Sequence, residues 1–241
     1  MAEKYGDRRP ALWGEHLPGI MDTLPPSHPD STGDTDSPKA SPRTLVLTLD
    51  ACGGRTDGRI IALLREHGVP ATIFATNSWL RRNKAVAEDL AADPLFVFAC
   101  HGKRHRPASV NGRRAYGITG TRNIPALVEE VEDNARAITA AAGTRPGWFR
   151  SGTAHYDEVA VAIIRDLGLA VAGYAVSADE GATLPAKEVA RRLLNAPDGA
   201  VILCHLNHPE SGTFGGLAIA IPALLEQGAR FAPLPSPSLF P

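Results

Sequence analysis

The sequence predicts an α/β fold in which about seven parallel strands form a closed or nearly closed barrel covered by helices. From Thr44 onward, short and almost unbroken apolar segments alternate with longer amphipathic segments. Strands that are buried on both faces have this continuous apolar pattern, and the helices between them supply the crossovers that a parallel sheet requires. About seven strand segments fit a barrel better than a flat open sheet.

The strands are predicted from their apolar runs and the turn residues that flank them. In chain order they are TLVLTLD (44–50), ATIFAT (71–76), LFVFAC (95–100), GWFRS (147–151), LAVAGYAVS (169–177), AVILCH (200–205) and RFAPL (230–234). The helices are predicted from apolar residues spaced three and four apart. They cover 57–68, 84–93, 124–143, 157–168, 184–197 and 215–228. A long loop is predicted over about 103–122, which contains several Gly residues and Pro107.

The first 43 residues differ in composition from the rest of the chain. Residues 22–43 are dense in Pro, Ser, Asp and Thr and cannot bury a core, so we expect an extended or disordered linker there. The preceding segment is more apolar, and Trp13 could pin it to the folded body. The predicted organisation is therefore an N-terminal segment at 1–43 and one folded domain at 44–241.

Composition excludes several classes of partner. The chain is 44% hydrophobic with a formal net charge of −1, so no basic field suggests nucleic acid or an anionic membrane. No apolar run is long enough to span a bilayer. The N-terminus lacks the pattern of a signal peptide, which predicts a cytoplasmic protein, or a secreted one if the true start has been trimmed. Three widely spaced cysteines fit a reducing compartment.

Polar, titratable residues stand at the ends of five predicted strands. If the strands are parallel, these ends share one face, and in α/β barrels that face carries the chemistry. The residues are Asp50, His101, Arg150, Asp179 and His205. Packing alone does not explain this set, because a strand end without a function can be closed by Gly, Ser or Asn. We therefore expect a catalytic or binding site on this face.

Histidines and cysteines near these strand ends are candidate metal ligands. His101 and His105 flank a single tight turn, since Pro107 disfavours a helix there. Cys100 and Cys204 each directly precede a strand-end histidine, so they should point to the opposite side of the sheet and pack in the core. Cys52 lies just beyond Asp50 and could reach the site as a soft ligand. The acidic residues at 129, 130, 132 and 133 are predicted to be solvated helix surface.

Five segments in order, TLDACGG, HGKRH, FRSGTAHYD, SADEGAT and ILCHLNH, resemble the motifs of the NodB-homology polysaccharide deacetylases, carbohydrate esterase family 4. The resemblance covers about 44–233. It implies a distorted (β/α) barrel and a divalent metal, commonly zinc, with cobalt or manganese as alternatives. It also implies hydrolysis of an N-acetyl group on an amino sugar in a polysaccharide, an oligosaccharide or a sugar conjugate. The expected partner is therefore a small-molecule or oligosaccharide substrate.

The resemblance also implies roles for individual residues. His101 and His105 match the paired metal ligands, Asp50 the general base and His205 the general acid. Arg150 matches the arginine that orients the base, and Asp179 falls where an acidic residue tunes the acid histidine. Three further residues are candidate substrate contacts: Asn207, His208 and Tyr156. For Tyr156, packing at the start of the following helix is the alternative.

One departure from the family pattern affects the metal site. The second aspartate of the first motif, which is a metal ligand in the family, is Ala51 here. Another group must then serve, such as water, Asp50 itself or Asp57, and Asp57 also fits a helix N-cap. Because the third and fourth motifs are altered as well, two other functions stay open. They are hydrolysis of a non-sugar amide with the same machinery, and a non-catalytic binding protein of the same fold.

Overall fold

The computed structural model describes residues 1–24 and 43–237, and the predicted linker at 25–42 lies outside the described residues. The strands are β1 (Ile20–Met21), β2 (Thr44–Ala51), β3 (Ala71–Ala75), β4 (Phe96–Cys100), β5 (Arg114–Ala115), β6 (Ile118–Thr119), β7 (Trp148–Phe149), β8 (Ala170–Ala172), β9 (Val176–Ser177), β10 (Val201–His205) and β11 (Arg230–Phe231). The helices are α1 (Ala2–Tyr5), α2 (Gly58–His67), α3 (Asn77–Arg82), α4 (Lys84–Ala91), α5 (Ile124–Ala142), α6 (Glu158–Asp166), α7 (Ala186–Leu194) and α8 (Thr213–Glu226).

The predicted distorted (β/α) barrel is confirmed. Within residues 1–24 and 43–237, nine strands form one sheet in the order β1-β8-β7-β4-β3-β2-β10-β9, with β11 paired to the start of β2. All of these pairings are parallel. The carboxyl ends of β2, β4, β7 and β10 therefore open on the same face, as the sequence predicts. No helix in the described part of the chain is both long and apolar enough to cross a membrane.

Side chains alternate between the helical layer and the barrel interior along each strand. In β2, the leucines at 45, 47 and 49 pack into the core between sheet and helices, whereas Val46 belongs to a separate interior cluster. That interior cluster also contains Phe74, Ala99 and Trp148. Cys100 and Cys204 are fully buried in the outer core, which confirms their predicted packing role.

Of the N-terminal segment at 1–43, which was expected to be extended or disordered, residues 1–24 are described and pack on the folded body. Strand β1 pairs in parallel with β8, and Thr23 forms an antiparallel bridge with Ala200. The Tyr5 side chain is buried, and the Trp13 ring lies 5.7 Å from that of His155. The prediction missed this strand because two paired residues leave no periodic pattern in the sequence.

Helix α3 and a short hairpin were also not predicted. Helix α3 follows β3, where Thr76 caps its first turn by accepting a hydrogen bond from the Trp79 N–H. The predicted loop at 103–122 contains an antiparallel hairpin formed by β5 and β6. The predicted strand at 169–177 is divided into β8 and β9 around Gly173, whose carbonyl group is used by the site described next.

Candidate metal and catalytic site

A buried arginine organises the centre of the site. The Arg150 guanidinium, directly after β7, donates from Nη1 to Asp50 Oδ1 and to Thr48 Oγ1, both at 2.8 Å. Its Nη2 donates to the Gly173 carbonyl oxygen at 2.6 Å, and its Cζ atom lies over the Phe74 ring, 4.2 Å from the ring centroid. Arg150 is fully buried, so these contacts replace its hydration. The Asp50 carboxylate is thereby held in one orientation.

Asp50 is ionised despite its burial. Burial alone would raise the pKa of this carboxyl group, but the charges of His101 and Arg150 outweigh it and hold the pKa below its usual value. Asp50 Oδ2 lies 3.5 Å from His101 Nε2. The strand end therefore presents a carboxylate that can accept a proton.

The two histidines of the HGKRH segment lie side by side, as the sequence predicts. Their ring centroids are 4.9 Å apart. His101 Nδ1 is 3.0 Å from the Arg150 carbonyl oxygen, which can only accept, so Nδ1 carries a proton and Nε2 is the nitrogen directed toward Asp50 and Cys52. His105 Nε2 is buried without a hydrogen-bond partner among the described residues. An unsatisfied buried nitrogen of this kind is costly unless a ligand uses it.

Cys52 forms a group of three candidate metal ligands with these histidines. Its Sγ lies 3.4 Å from His101 Nε2, and candidate ligand atoms of Cys52, His101 and His105 lie within 4.8 Å of one another. Burial would raise the pKa of the thiol, but the charge of His101 and hydrogen bonds with His101, His105 and His205 lower it well below the usual value. A thiolate with two imidazoles is a donor set that suits zinc or cobalt.

The structure does not bring Asp57, the expected third ligand, into this group. Asp57 is the N-cap of α2, and its Oδ1 accepts from the Arg59 N–H at 3.1 Å. Both carboxylate oxygens also accept from the Arg59 guanidinium, at 2.9 and 2.7 Å. The capping alternative is therefore the one observed, and its oxygens are already engaged. Ala51 packs in the core cluster between sheet and helices.

Two side chains of helix α5 accept hydrogen bonds from the backbone of the HGKRH turn and of Arg106. Asn134 Oδ1 accepts from the backbone N–H groups of His101 and Gly102, at 2.8 and 2.9 Å. Glu130 Oε1 accepts from the N–H groups of Arg104 and Arg106, at 2.8 and 3.2 Å. These bonds surround His105, whose φ of 59° is in the left-handed region that side chains rarely adopt.

Glu130 and Asn134 were missed in the sequence analysis. Glu130 is 3% exposed, so its expected place on a solvated helix surface was wrong. The available signal was their spacing: they are four residues apart and share a helix face with the apolar residues Leu127, Val131 and Ile138. A polar pair on a buried stripe indicates a satisfied polar network.

The second half of the site is an ion-paired histidine at the end of β10. His205 Nδ1 lies 2.9 Å from Asp179 Oδ1, and its backbone N–H donates to Asp179 Oδ2 at 2.7 Å. Thr213 Oγ1 also donates to that oxygen, at 2.9 Å. Burial would lower the pKa of His205, but Asp179 and the Cys52 thiolate raise it well above the usual value. His205 is therefore protonated at neutral pH and can act as an acid.

The three predicted substrate contacts have different positions. Asn207 Oδ1 accepts from the Cys52 N–H at 3.2 Å, so it fixes the loop that carries the thiol. His208 lines an open cleft of about 680 Å³ together with Cys52, His105 and Asn207. Tyr156 is fully buried, and its hydroxyl accepts from the Ser151 N–H at 2.9 Å. Tyr156 therefore packs in the core, as its alternative role predicted, and does not reach the cleft.

Comparison with known proteins gives a family match. A sequence model of the family described as polysaccharide deacetylase matches residues 37–172. No curated protein gave a significant match to the chain.

Solved structures with a similar fold include a CE4 family pseudoenzyme from Bacillus anthracis, at 22% identity over 80% of this chain with a TM-score of 0.68. This chain spans 64% of that pseudoenzyme's length. The Bc1960 peptidoglycan N-acetylglucosamine deacetylase is 22% identical over 82% of this chain and 87% of its own, with a TM-score of 0.69. A family 4 acetyl xylan esterase from Clostridium thermocellum, in complex with a cobalt ion, is 20% identical over 80% of this chain and 88% of its own, with a TM-score of 0.65. At these identities the likeness establishes the fold.

Proposed function

Since the chain belongs to the polysaccharide deacetylase family, we propose that it is a metal-dependent hydrolase that removes the N-acetyl group from an amino sugar. One observation carries this proposal: a group of three candidate ligands, Cys52, His101 and His105, adjoins both an ionised Asp50 and a protonated His205. Amide hydrolysis needs these parts, namely an electrophile, a base and an acid.

The donor set fits a divalent ion. His105 Nε2 is a buried nitrogen that lacks a partner among the described residues, and candidate ligand atoms of His105, His101 and Cys52 lie within 4.8 Å of one another. The depressed pKa of the Cys52 thiol supplies an anionic ligand. Three protein ligands that leave a position open are typical of catalytic zinc sites, so zinc is the proposed ion and cobalt a substitute. When bound, the ion would acidify water and polarise the acetyl carbonyl group.

The protein's own residues supply the proton transfers. Asp50, held by Arg150, accepts the proton of the attacking water, and its low pKa keeps it ready to do so. His205, held by Asp179, donates a proton to the nitrogen that leaves as an amine. Both steps are needed, because attack without protonation of the nitrogen reverts to the amide.

An acetylated sugar is the substrate class best supported by relatives. The similar structures include a peptidoglycan N-acetylglucosamine deacetylase and an acetyl xylan esterase, which differ in the bond cleaved but share an acetylated saccharide. We propose the N-acetyl amino sugar because amide cleavage depends most on a general acid. The nitrogen departs poorly as an anion, and a protonated His205 can donate the proton that lets it leave as an amine.

The test is acetate release from N-acetyl amino sugars, acetylated xylan fragments and N-acetyl amino acids by zinc-loaded protein. We expect turnover of the amino sugars that disappears with chelation and returns with zinc or cobalt. His101→Ala with His105→Ala should abolish both turnover and bound zinc, whereas His67→Ala, at the end of α2, should change neither. Turnover of the amino acids alone would indicate a general amidohydrolase, and protein that neither binds zinc nor releases acetate would indicate a binding protein.

A further inference from the structure

We propose that the cleft selects substrates that carry an anionic group, a phosphate or a carboxylate, close to the acyl group that is removed. This inference rests on the proposed deacetylase function and names its substrate class. It comes from the charges that line the cleft beside the three-ligand group.

The cleft has a cationic wall. It is lined by Arg55, Arg82, Lys103 and Arg104, and by a single carboxylate, Glu210. The whole chain carries a formal net charge of −1, so this wall concentrates positive charge at the place where a substrate would enter.

Two of the four cations already have carboxylate partners. Lys103 Nζ pairs with Glu129 at 2.5 Å and with Asp133 at 2.6 Å, and Arg104 Nη2 lies 3.9 Å from Glu129. The side chains of Arg55 and Arg82 make no hydrogen bond or close ion pair within the described ranges 1–24 and 43–237, although the charge of Arg55 contributes to lowering the pKa of Glu210. These two arginines are therefore available to a ligand.

The Asn83 side chain connects the two segments that carry Arg55 and Arg82. Asn83 Oδ1 accepts from the backbone N–H of Thr56 at 3.3 Å and from its hydroxyl at 3.0 Å. Asn83 Nδ2 donates to the carbonyl oxygen of Gly54 at 3.0 Å. Arg55 lies between the two residues that Asn83 binds, and Arg82 directly precedes Asn83 at the end of α3. The backbone positions of Arg55 and Arg82 are thus fixed relative to each other.

The loop between them leaves room for a ligand. A side chain at Gly53 would meet no atom closer than Ser78 Oγ, at 3.9 Å. Gly53 and Ser78 line the same cleft as the two arginines, so the cleft also offers a small residue and a hydroxyl group. An oxyanion in this cleft could accept from the hydroxyl as well as from the arginines.

Arginine chemistry decides the kind of ligand. A guanidinium binds carboxylate and phosphate through paired, charge-assisted hydrogen bonds that are about twice as strong as neutral ones. The hydrogen bonds that a guanidinium donates to the hydroxyl groups of an uncharged sugar are weaker, because the acceptor carries no charge. Two unpaired arginines beside the proposed metal site therefore favour an anionic amino sugar over a neutral one.

The test compares kcat/KM for N-acetylglucosamine, N-acetylglucosamine 6-phosphate and N-acetylmuramic acid, in wild type and in Arg55→Gln with Arg82→Gln. We expect wild type to prefer one or both anionic substrates, and the double variant to lower that preference at least about tenfold. Arg81→Gln, an exposed arginine on the same helix that does not line the cleft, should leave the preference within about twofold. Comparison of the 6-phosphate substrate with N-acetylmuramic acid shows whether the site recognises a phosphate or a carboxylate. The proposal would be overturned if the ratio of kcat/KM for the anionic substrates to kcat/KM for N-acetylglucosamine were the same in wild type and in the double variant.

A second measurement does not depend on turnover. Calorimetric titration of zinc-loaded protein with inorganic phosphate should show binding that weakens at least about tenfold in the double variant and also weakens with added salt. Phosphate binding that the double variant leaves unchanged would overturn the anion site. If no sugar is deacetylated but the double variant still loses phosphate binding, the proposed function fails while the anion site stands.

Discussion

Cys52 determines the character of the proposed metal site at the scale of single residues. We predict that Cys52→Ala lowers zinc affinity at least about tenfold, since the loss of an outer-shell group alone costs this much. Cys52→Asp, which restores an oxygen ligand, should retain the metal. Cobalt-loaded wild type should show a thiolate-to-cobalt charge-transfer absorption that Cys52→Asp lacks and that Cys100→Ala, in the core, keeps. A wild-type spectrum without this band would exclude the thiolate as a ligand.

The pair of Asp179 and His205 predicts a shift in the pH profile. Burial alone would lower the pKa of His205, and Asp179 is the largest influence that raises it above 6.5. We expect Asp179→Asn to lower that pKa, so His205 loses its proton at a lower pH and activity declines there. The alkaline limb of kcat/KM against pH should move to lower pH, and kcat should fall. A limb that does not move would show that another group donates the proton.

At this scale, the strand-end residues could be predicted and the loop residues could not. Asp50, His101, Arg150 and His205 stand at positions that strand periodicity defines, so their meeting on one face follows from the sequence. Cys52 lies on a turn beyond β2, where no periodicity states the direction of a side chain. Its role stayed an alternative until the fold placed it beside the histidines.

Helix α5 acts on the site as an element, through Glu130. Burial raises the pKa of this carboxyl group above 4.5, although the N–H groups of Arg104 and Arg106 oppose the shift. Between 4.5 and the raised pKa the folded state binds more protons than the unfolded state, so the free energy of unfolding decreases as pH rises through this range. The glutamine of Glu130→Gln keeps an acceptor oxygen but does not titrate, so its free energy of unfolding lacks this contribution to the pH dependence.

We therefore predict that Glu130→Gln gains stability relative to wild type as pH rises through this range, and that the difference then levels off. Urea unfolding at several pH values measures it. Glu130→Ala should behave differently, because it leaves the N–H groups of Arg104 and Arg106 without an acceptor, at about 1–3 kcal/mol each. It should also weaken zinc binding through His105, which lies between them. A constant difference between Glu130→Gln and wild type across pH would show that Glu130 does not titrate in this range.

The elements differ in how far the sequence determines them. Long amphipathic helices such as α5 and apolar strands such as β2 and β10 carry many residues of consistent pattern, and they were predicted within a few positions. Strands β1, β5 and β6 have two residues each and, unlike the equally short β7 and β11, were not marked by a predicted strand segment, so only their pairing in the fold defines them. Local pattern does not contain that information.

At the scale of the whole molecule, residues 20–24 close the seam of the barrel between β8 and β10. The Gly173 N–H donates to the Met21 carbonyl oxygen at 2.9 Å, and the Val201 N–H donates to that of Asp22 at 3.1 Å. The Leu24 N–H donates to the Gly199 carbonyl oxygen at 2.7 Å. Gly173 is also the residue whose carbonyl oxygen accepts from Arg150. The N-terminal segment is thus two hydrogen bonds away from the guanidinium that orients Asp50.

This connection predicts different results for two N-terminal deletions. Removal of residues 1–18 keeps β1, whereas removal of 1–24 leaves three backbone groups of the seam unpaired, at about 1–3 kcal/mol each. We expect the longer deletion to lower the free energy of unfolding by at least about 3 kcal/mol more than the shorter one. It should also reduce kcat more than it changes KM, since Gly173 and with it Arg150 lose support. Equal unfolding midpoints in urea for the two deletions would show that the seam is held by β9 and β10 without residues 20–24, and the link from this segment to Asp50 would then have no energetic basis.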